Sequence, residues 1–296
     1  WLWWVILWCC LSPLAATPKE GGDIKPCEGV KVEHIANNLA SAGGQWIGDD
    51  GRFRGACPAT TDAIIMETAN VTGWGSLMPH LEATQADVVC IQEHKVLEND
   101  IPKCREALYR KGWRSIWAPA CLTDAGGKSA GVAIAARKSL GLWVPKTSNQ
   151  EVSRHRACWA YLSGCGLPKI VIYAAYFHDS EGPSQRNCDI LEAIGGHIAN
   201  HNLGWCVGAD FNMEPDTLAN TGLLRAIGGR IAAGPGSTGT CTAATPASNI
   251  DFFIVDRRLQ DALGEVRIVT NSTLKTHRPV RLYWKPKMQE IRMRTL

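Results

Sequence analysis

Along this chain short apolar runs alternate with longer stretches whose apolar residues recur at helical spacing, and the alternation begins near Asp62. Residues 63–67 read as a strand, 76–83 as a helix, 87–91 as a strand and 103–111 as a helix. The turn Gly126-Gly127-Lys128-Ser129-Ala130-Gly131 leads into a strand at 132–135. Two more strands, 157–162 and 169–176, flank the turn Ser163-Gly164-Cys165-Gly166. A helix over 185–200, despite Gly195 and Gly196, delivers the chain into the strand Gly204-Trp205-Cys206-Val207-Gly208-Ala209, which runs straight into Asp210-Phe211-Asn212. Strands at 249–255 and, with a weaker pattern, 266–269 precede Thr276-His277-Arg278-Pro279-Val280. Helices and hairpins mixed in this order favour an α/β sandwich over a purely parallel doubly wound sheet.

Residues 17 to about 60 are rich in Gly, Asp, Lys and Pro and lack periodicity. The expected organisation is therefore an apolar run with an irregular lead-in over 1–61, a folded domain over 62–284 and a basic tail over 285–296. The opening run Trp1-Leu2-Trp3-Trp4-Val5-Ile6-Leu7-Trp8 has no preceding basic residue and no initiator Met, so the chain is expected to be incomplete at its start. That run is too short to span a bilayer. A signal-peptide remnant, a cut membrane helix and mistranslated upstream sequence all fit it, and it fixes no compartment.

With 296 residues, 45% of them hydrophobic, the chain can bury a large core, which excludes the disordered class. A net charge of +3 permits attraction to a polyanion without demanding it. The distribution says more: from Lys275 onward there are seven Lys or Arg against one Glu, and further clusters lie at Arg110, Lys111 and Arg114 and at Arg154 and Arg156. These make a phosphate-rich partner a candidate, with a solvated surface tail as the commoner reading. The twelve cysteines, Cys90, Cys158 and Cys206 among them, show neither a C-x-x-C pair nor zinc-like spacing and read as small buried hydrophobes.

Candidate chemistry sits where apolar strands end. Asp210 and Asn212 lie two apart at such an end, so their side chains point the same way, one able to orient a water and the other to hold a substrate oxygen, although the same pair could open a turn. Val88-Val89-Cys90-Ile91-Gln92-Glu93 ends in the same manner, making Glu93 a candidate metal ligand or an ordinary strand exit. Asn249-Ile250-Asp251-Phe252-Phe253 sets a carboxylate within an apolar strand, which needs a partner unless the strand lies at an edge with Asp251 facing water. His277, pinned by Pro279 nearby, is the natural partner, and an Asp holding it would fix its tautomer and favour the imidazolium. With Asn70, these residues fall at one rim. No Ser or Cys nucleophile accompanies the His. Carboxylates and amide oxygens suit Mg²⁺ better than zinc, and the reaction class needing such a site is phosphate-ester hydrolysis by an activated water.

The ordered motifs Asn70-Val71-Thr72-Gly73, Ile91-Gln92-Glu93, Ile172-Tyr173-Ala174-Ala175-Tyr176, Gly208-Ala209-Asp210-Phe211-Asn212, Ile250-Asp251-Phe252 and His277-Arg278-Pro279-Val280 resemble the endonuclease/exonuclease/phosphatase superfamily. Within it the likeness is to endonuclease domains of LINE-type retrotransposons and their apurinic-endonuclease relatives, over residues 62–284. The resemblance implies a four-layer α-β-β-α sandwich of two mixed β-sheets flanked by helices. It implies that Glu93 binds Mg²⁺ (or Mn²⁺) and that Asn70 assists at the metal and phosphate. Asp210 would activate the water, Asn212 would help hold water and phosphate, and Tyr176 would contact or protonate near the phosphate. His277 would stabilise the transition state, oriented by Asp251. The implied activity is metal-dependent phosphodiester hydrolysis, nicking DNA as a mobile-element endonuclease does. The sequence leaves the oligomeric state open with a monomer favoured, no stable membrane association is expected from the domain, and the compartment is open, nuclear if the chain serves a retrotransposon. A sugar-, inositol- or lipid-phosphate hydrolase of the same fold is the alternative, as is a remnant that only binds nucleic acid or protein.

Three positions depart from the family pattern. Thr276 stands where the family has Asp before the final His, removing a negative charge near the metal. Tyr176-Phe177-His178 replaces Tyr-x-Pro, and His178 is expected to have no catalytic role. Thr72 replaces a usual Asp or Asn.

Overall fold

The computed structural model describes residues 63–285, apart from 165–166, 236–238 and 244, together with a short antiparallel pair, β1 (Trp46–Ile47) and β2 (Phe53–Arg54). The opening apolar run and the tail beyond 285 lie outside those residues, and the pair β1–β2 falls within the stretch expected to be irregular. The first half of the domain runs β3 (Ile64–Asn70), α1 (Trp74–Ala83), β4 (Val88–Gln92), α2 (Ile101–Arg110), β5 (Trp113–Ala118), a small hairpin β6 (Cys121–Leu122) and β7 (Lys128–Ser129), β8 (Val132–Arg137) and β9 (Gly141–Trp143). The second runs β10 (Glu151–Ser153), β11 (Ala157–Gly164), β12 (Leu167–Tyr176), α3 (Gln185–Ala199), β13 (Gly204–Asp210), α4 (Pro215–Asn220), α5 (Leu223–Ile227) and β14 (Gly229–Ala232). It closes with β15 (Asp251–Asp256), β16 (Leu263–Ile268) and β17 (Val280–Trp284).

These strands form two mixed sheets, one ordered β16-β17-β3-β4-β8-β5 and the other β10-β11-β12-β13-β15-β14 with β9 also on β11. Alternation within each strand builds the layers. Val88 and Cys90 of β4, Ile170, Ile172 and Ala174 of β12, and Cys206 of β13 share one core with residues of both sheets, so it lies between them. The opposite faces carry separate cores. Val89 and Ile91 pack with Leu77 and Leu81 of α1 and Leu108 of α2, while Val171, Tyr173 and Val207 pack with Ile190, Leu191 and Ile194 of α3. Burying a side chain such as Phe253 in the middle layer contributes about 1.5–3 kcal/mol. The result is the expected four-layer α-β-β-α sandwich. Among the described residues no helix is long and apolar enough to cross a membrane.

Between the sheets, space is tight at Gly208: a Cβ there would stand 2.8 Å from the Phe253 ring and 2.9 Å from Cys90 Cβ and Sγ. The seven cysteines among the described residues are free, four of them buried, as small hydrophobes would be. Gln92, fully buried, donates from Nε2 to the Gly208 carbonyl of the opposite sheet at 3.2 Å.

The topology brings the site together. The units β3–α1–β4 and β12–α3–β13 each join two parallel strands through a helix, so Asn70, Gln92, Tyr176 and Asp210 all stand at carboxyl ends on one rim. Antiparallel β15 and β17 start at that rim, which delivers Asp251 opposite Asp210 and His277 three residues ahead of β17. β15 lies between β13 and β14, so Asp251 is interior and not on an edge facing water. Several elements lie outside those expected from the sequence: β5, α4, α5, β14 and β17, and β3 extends to Asn70.

Candidate active site

The rim gathers Asn70, Asp210, Asp251 and His277 as two hydrogen-bonded pairs, Asn70–Asp210 and His277–Asp251, joined by an ion-pair contact. Asn70 Nδ2 crosses from one sheet to donate to Asp210 Oδ2 at 2.8 Å, and Asn70 Oδ1 accepts from the Thr72 amide at 2.9 Å. Asp210 Oδ1 accepts from the Asn212 amide at 3.0 Å. His277 Nδ1 donates to Asp251 Oδ2 at 2.9 Å and stands 3.9 Å from Asp210 Oδ2. Asp210 and Asp251 are each 1% exposed. The ring nitrogen left for an incoming oxygen is Nε2.

Two carboxylates buried side by side cannot both ionise freely. Burial, and then the Asp251 charge, push Asp210 up to about 8, against the opposing pull of His277 and the hydrogen bonds from Asn70 and Asn212. Burial works against the His277 imidazolium, yet the carboxylates of Asp251 and Asp210 outweigh it and push the ring up to about 10. At neutral pH the histidine is a held cation beside a carboxyl poised to trade a proton.

Asp210, Asp251 and His277 place their polar atoms within 4.8 Å of one another, and with His277 held as a cation the two carboxylates are the members of this group able to hold a metal ion. Asp251 Oδ1 is buried without a hydrogen-bond partner, as an oxygen awaiting a cation would be. A hard divalent ion fits this oxygen-rich set.

Tyr176 pairs in register with Asp210 on the neighbouring strand. Burial, then the charges of Glu93 and Asp210, raise its phenol well above the ordinary range, so it stays a neutral donor. Arg156 lies over the Tyr176 ring with its guanidinium carbon 4.9 Å from the centroid. The Asn212 amide is engaged differently from expectation: Nδ2 donates to the Phe177 carbonyl at 2.8 Å, which locks the turn after β12. Glu93 is not part of the three-residue metal group; its Oε1 pairs with Lys95 Nζ at 3.0 Å. Thr72, Glu93 and Asn212 all take left-handed φ values, of 55°, 56° and 49°, directly beyond the strands that carry the cluster. Strain of this kind collects at functional turns.

Thr276 is exposed, and its carbonyl accepts from both the amide and the hydroxyl of Thr242. His178 is held through its backbone amide by Asn187 Oδ1 at 2.7 Å, and its ring reaches only Glu181 at 4.0 Å. Within the basic cluster at 110–114, Arg110 pairs with Glu106 and Lys111 with Glu82.

One supporting residue had no signal in the sequence. Thr240, fully buried in an aperiodic Gly/Thr/Ala stretch, accepts at Oγ1 from the amides of Ile250 and Asp251 and at its carbonyl from the Arg278 amide. It fixes both partners of the Asp251–His277 pair.

Over residues 73–272 the chain matches the endonuclease/exonuclease/phosphatase family. The chain belongs to that family of phosphoester hydrolases. Solved structures share its fold at low identity. The AP endonuclease LMAP from Leishmania major is 14% identical, with a TM-score of 0.60 over 77% of this chain and 91% of that one. The endonuclease domain of TRAS1, a telomere-specific non-LTR retrotransposon, is 14% identical, with a TM-score of 0.57 over 76% and 99%. The 3′ phosphatase NExo from Neisseria, bound to a product DNA hairpin, is 17% identical, with a TM-score of 0.54 over 75% and 99%. No curated protein sequence matches the chain.

Proposed function

We propose that the chain is a divalent-metal-dependent phosphodiesterase that nicks DNA, of the mobile-element endonuclease type. The observation that carries the reading is geometric: a buried Asp210 held by Asn70 at 2.8 Å stands 3.9 Å from a His277 ring that Asp251 fixes at 2.9 Å. In its ionised form Asp210, positioned by Asn70, takes a proton from the attacking water. His277, locked by Asp251, offers Nε2–H to the phosphoryl oxygens as negative charge grows on them. Tyr176, kept neutral, donates to the same phosphate, and Asn212 keeps the turn that frames it.

Asp210 and Asp251, with Asn70 and Glu93 nearby in the rim loops, would hold the metal, which supplies Lewis-acid polarisation of the phosphate when bound. Glu93 already faces a cation, the Lys95 ammonium. The fold likeness to TRAS1 and to AP endonucleases supports a DNA substrate, whereas the likeness to NExo also admits phosphomonoesters.

The test is incubation with supercoiled plasmid, with an apurinic-site duplex and with inositol phosphates, each in Mg²⁺ and in chelator. Metal-dependent nicking of DNA alone is the expected result. Turnover of inositol phosphates without DNA nicking refutes it. If the wild type is inert and Thr276→Asp nicks, the chain is an impaired remnant.

A further inference from the structure

Beside the catalytic rim, the segments beyond β3 and β4 enclose a cavity of about 320 Å³. This is near the lower end of the roughly 300–1,000 Å³ typical of small-ligand sites. Trp74 forms one wall and buried Val96 and Cys104 another, while Lys95, Lys103 and Lys128 reach it from three separate segments. Asp100 is the one acidic residue in the lining. Lys128 pairs loosely with Asp100 at 3.9 Å and Lys95 with Glu93 at 3.0 Å, while Lys103 makes no ion pair among the described residues. Lys95 reaches the catalytic rim directly through Glu93 at 3.0 Å. Trp74 follows Asn70 by four residues, so the cavity lies off the exit of β3, the strand that carries Asn70.

The two halves of this lining ask for different chemistry. Lysine ammonium groups gathered from three segments suit a phosphate, which they meet as point charges. A half-buried indole suits a flat ring, and stacking of one base on an aromatic side chain is worth roughly 1–3 kcal/mol. Trp74 also packs against Trp117 with ring centroids 6.1 Å apart, and a free phosphate would use none of its remaining face, just as an apolar ligand would use none of the lysines. A nucleotide uses both. A base inside a duplex has its faces covered by its neighbours and cannot lie on Trp74.

We propose that this pocket binds one unpaired nucleotide of a nucleic-acid strand, its base on Trp74 and its phosphate among Lys95, Lys103 and Lys128, beside the phosphodiester presented to Asp210 and His277. The proposal rests on the phosphodiesterase reading of that cluster and adds a preference for single-stranded, frayed or gapped substrate.

Fluorescence anisotropy in chelator, where nothing is cut, tests it with a labelled oligothymidylate and a labelled blunt duplex. Trp74→Leu is expected to weaken oligothymidylate binding about tenfold while sparing the duplex, and Trp74→Phe to restore most of the loss. The pair Lys103→Gln and Lys128→Gln is expected to flatten the salt dependence by about 0.7 in log–log slope for each phosphate no longer neutralised, which a merely structural role would not do. Thermal melts confirm that each variant is folded. Variants that bind oligothymidylate like wild type with an unchanged salt slope overturn the proposal, as does a wild type that binds no oligonucleotide. Plasmid nicking by Asp210→Ala separates the two readings. Nicking undiminished in Asp210→Ala, with oligothymidylate binding lost in Trp74→Leu, sinks the catalytic reading and leaves the pocket. The reverse pattern sinks the pocket alone.

Discussion

Replacing Asp210 by Asn is expected to stabilise the protein while disabling the site. The carboxyl sits at about 8 in the fold against an ordinary 3.8, because burial and the Asp251 charge oppose its ionisation. In the unfolded chain it ionises freely, so above pH 4 the unfolded state gains a charge that the fold resists. The sign is destabilising. Each pH unit between about 4 and 8 costs up to about 1.4 kcal/mol, or about 4 kcal/mol by pH 7 as an upper bound. His277 runs on a different window: its raised value stabilises fully below 6.5 and the contribution is lost as pH rises towards 10. Of these two groups only Asp210 therefore gives a slope between pH 4 and 6.5. Asn keeps the shape but sets an amide nitrogen against the Asn70 or Asn212 donor, a misfit of about 1–3 kcal/mol. The expectation for Asp210→Asn in chelator is parity or a slight loss at pH 4 and a gain on the order of 1–3 kcal/mol at pH 8. Urea titrations at several pH values, with unchanged m, measure it. Curves for variant and wild type that stay parallel from pH 4 to 8, or a variant that is less stable at pH 8, would refute the reasoning.

Other outcomes follow from the same geometry. In nicking assays His277→Gln should cost about 10²–10⁴-fold in kcat. Asp251→Asn added to it should cost little more, because the two act as a unit; additive losses would contradict the pairing. Glu67→Ala should cost about 3–5 kcal/mol in denaturant titration, since it leaves Arg281 and His80 buried without the carboxylate they share at 2.7 and 2.6 Å. Gly208→Ala should cost about 1–3 kcal/mol by thermal melting, because its Cβ meets Cys90 and Phe253 between the sheets.

The chemistry was legible where a strand's apolar pattern broke. Asp210 and Asp251 each interrupt an otherwise apolar run, and such an interruption is visible locally; that they face each other in register is a property of sheet order. The Glu67–Arg281 pair spans 214 residues, and Thr240 acts through main-chain amides, so neither leaves a mark on its own neighbourhood. β5 is hidden because Trp113-Arg114-Ser115-Ile116-Trp117 follows the basic end of α2, where Arg114 reads as part of a surface patch. Its buried positions are Trp113, Ser115, Trp117 and the closing Ala118, and the serine accepts the indole N–H of Trp117, so the alternation from 113 to 117 is real but not purely apolar. Glu93 and Lys95 sit on a strained turn whose ion pair depends on left-handed backbone at both residues, which composition does not reveal.

The central claim is that the Asp210 carboxylate activates water for attack on a phosphodiester. Its most direct test is the rate at which supercoiled plasmid is nicked in Mg²⁺ by wild type and by Asp210→Ala at equal concentration. A fall of about 10²-fold or more in the variant, with its fold intact, is the predicted result. Equal rates in the two proteins would contradict the account.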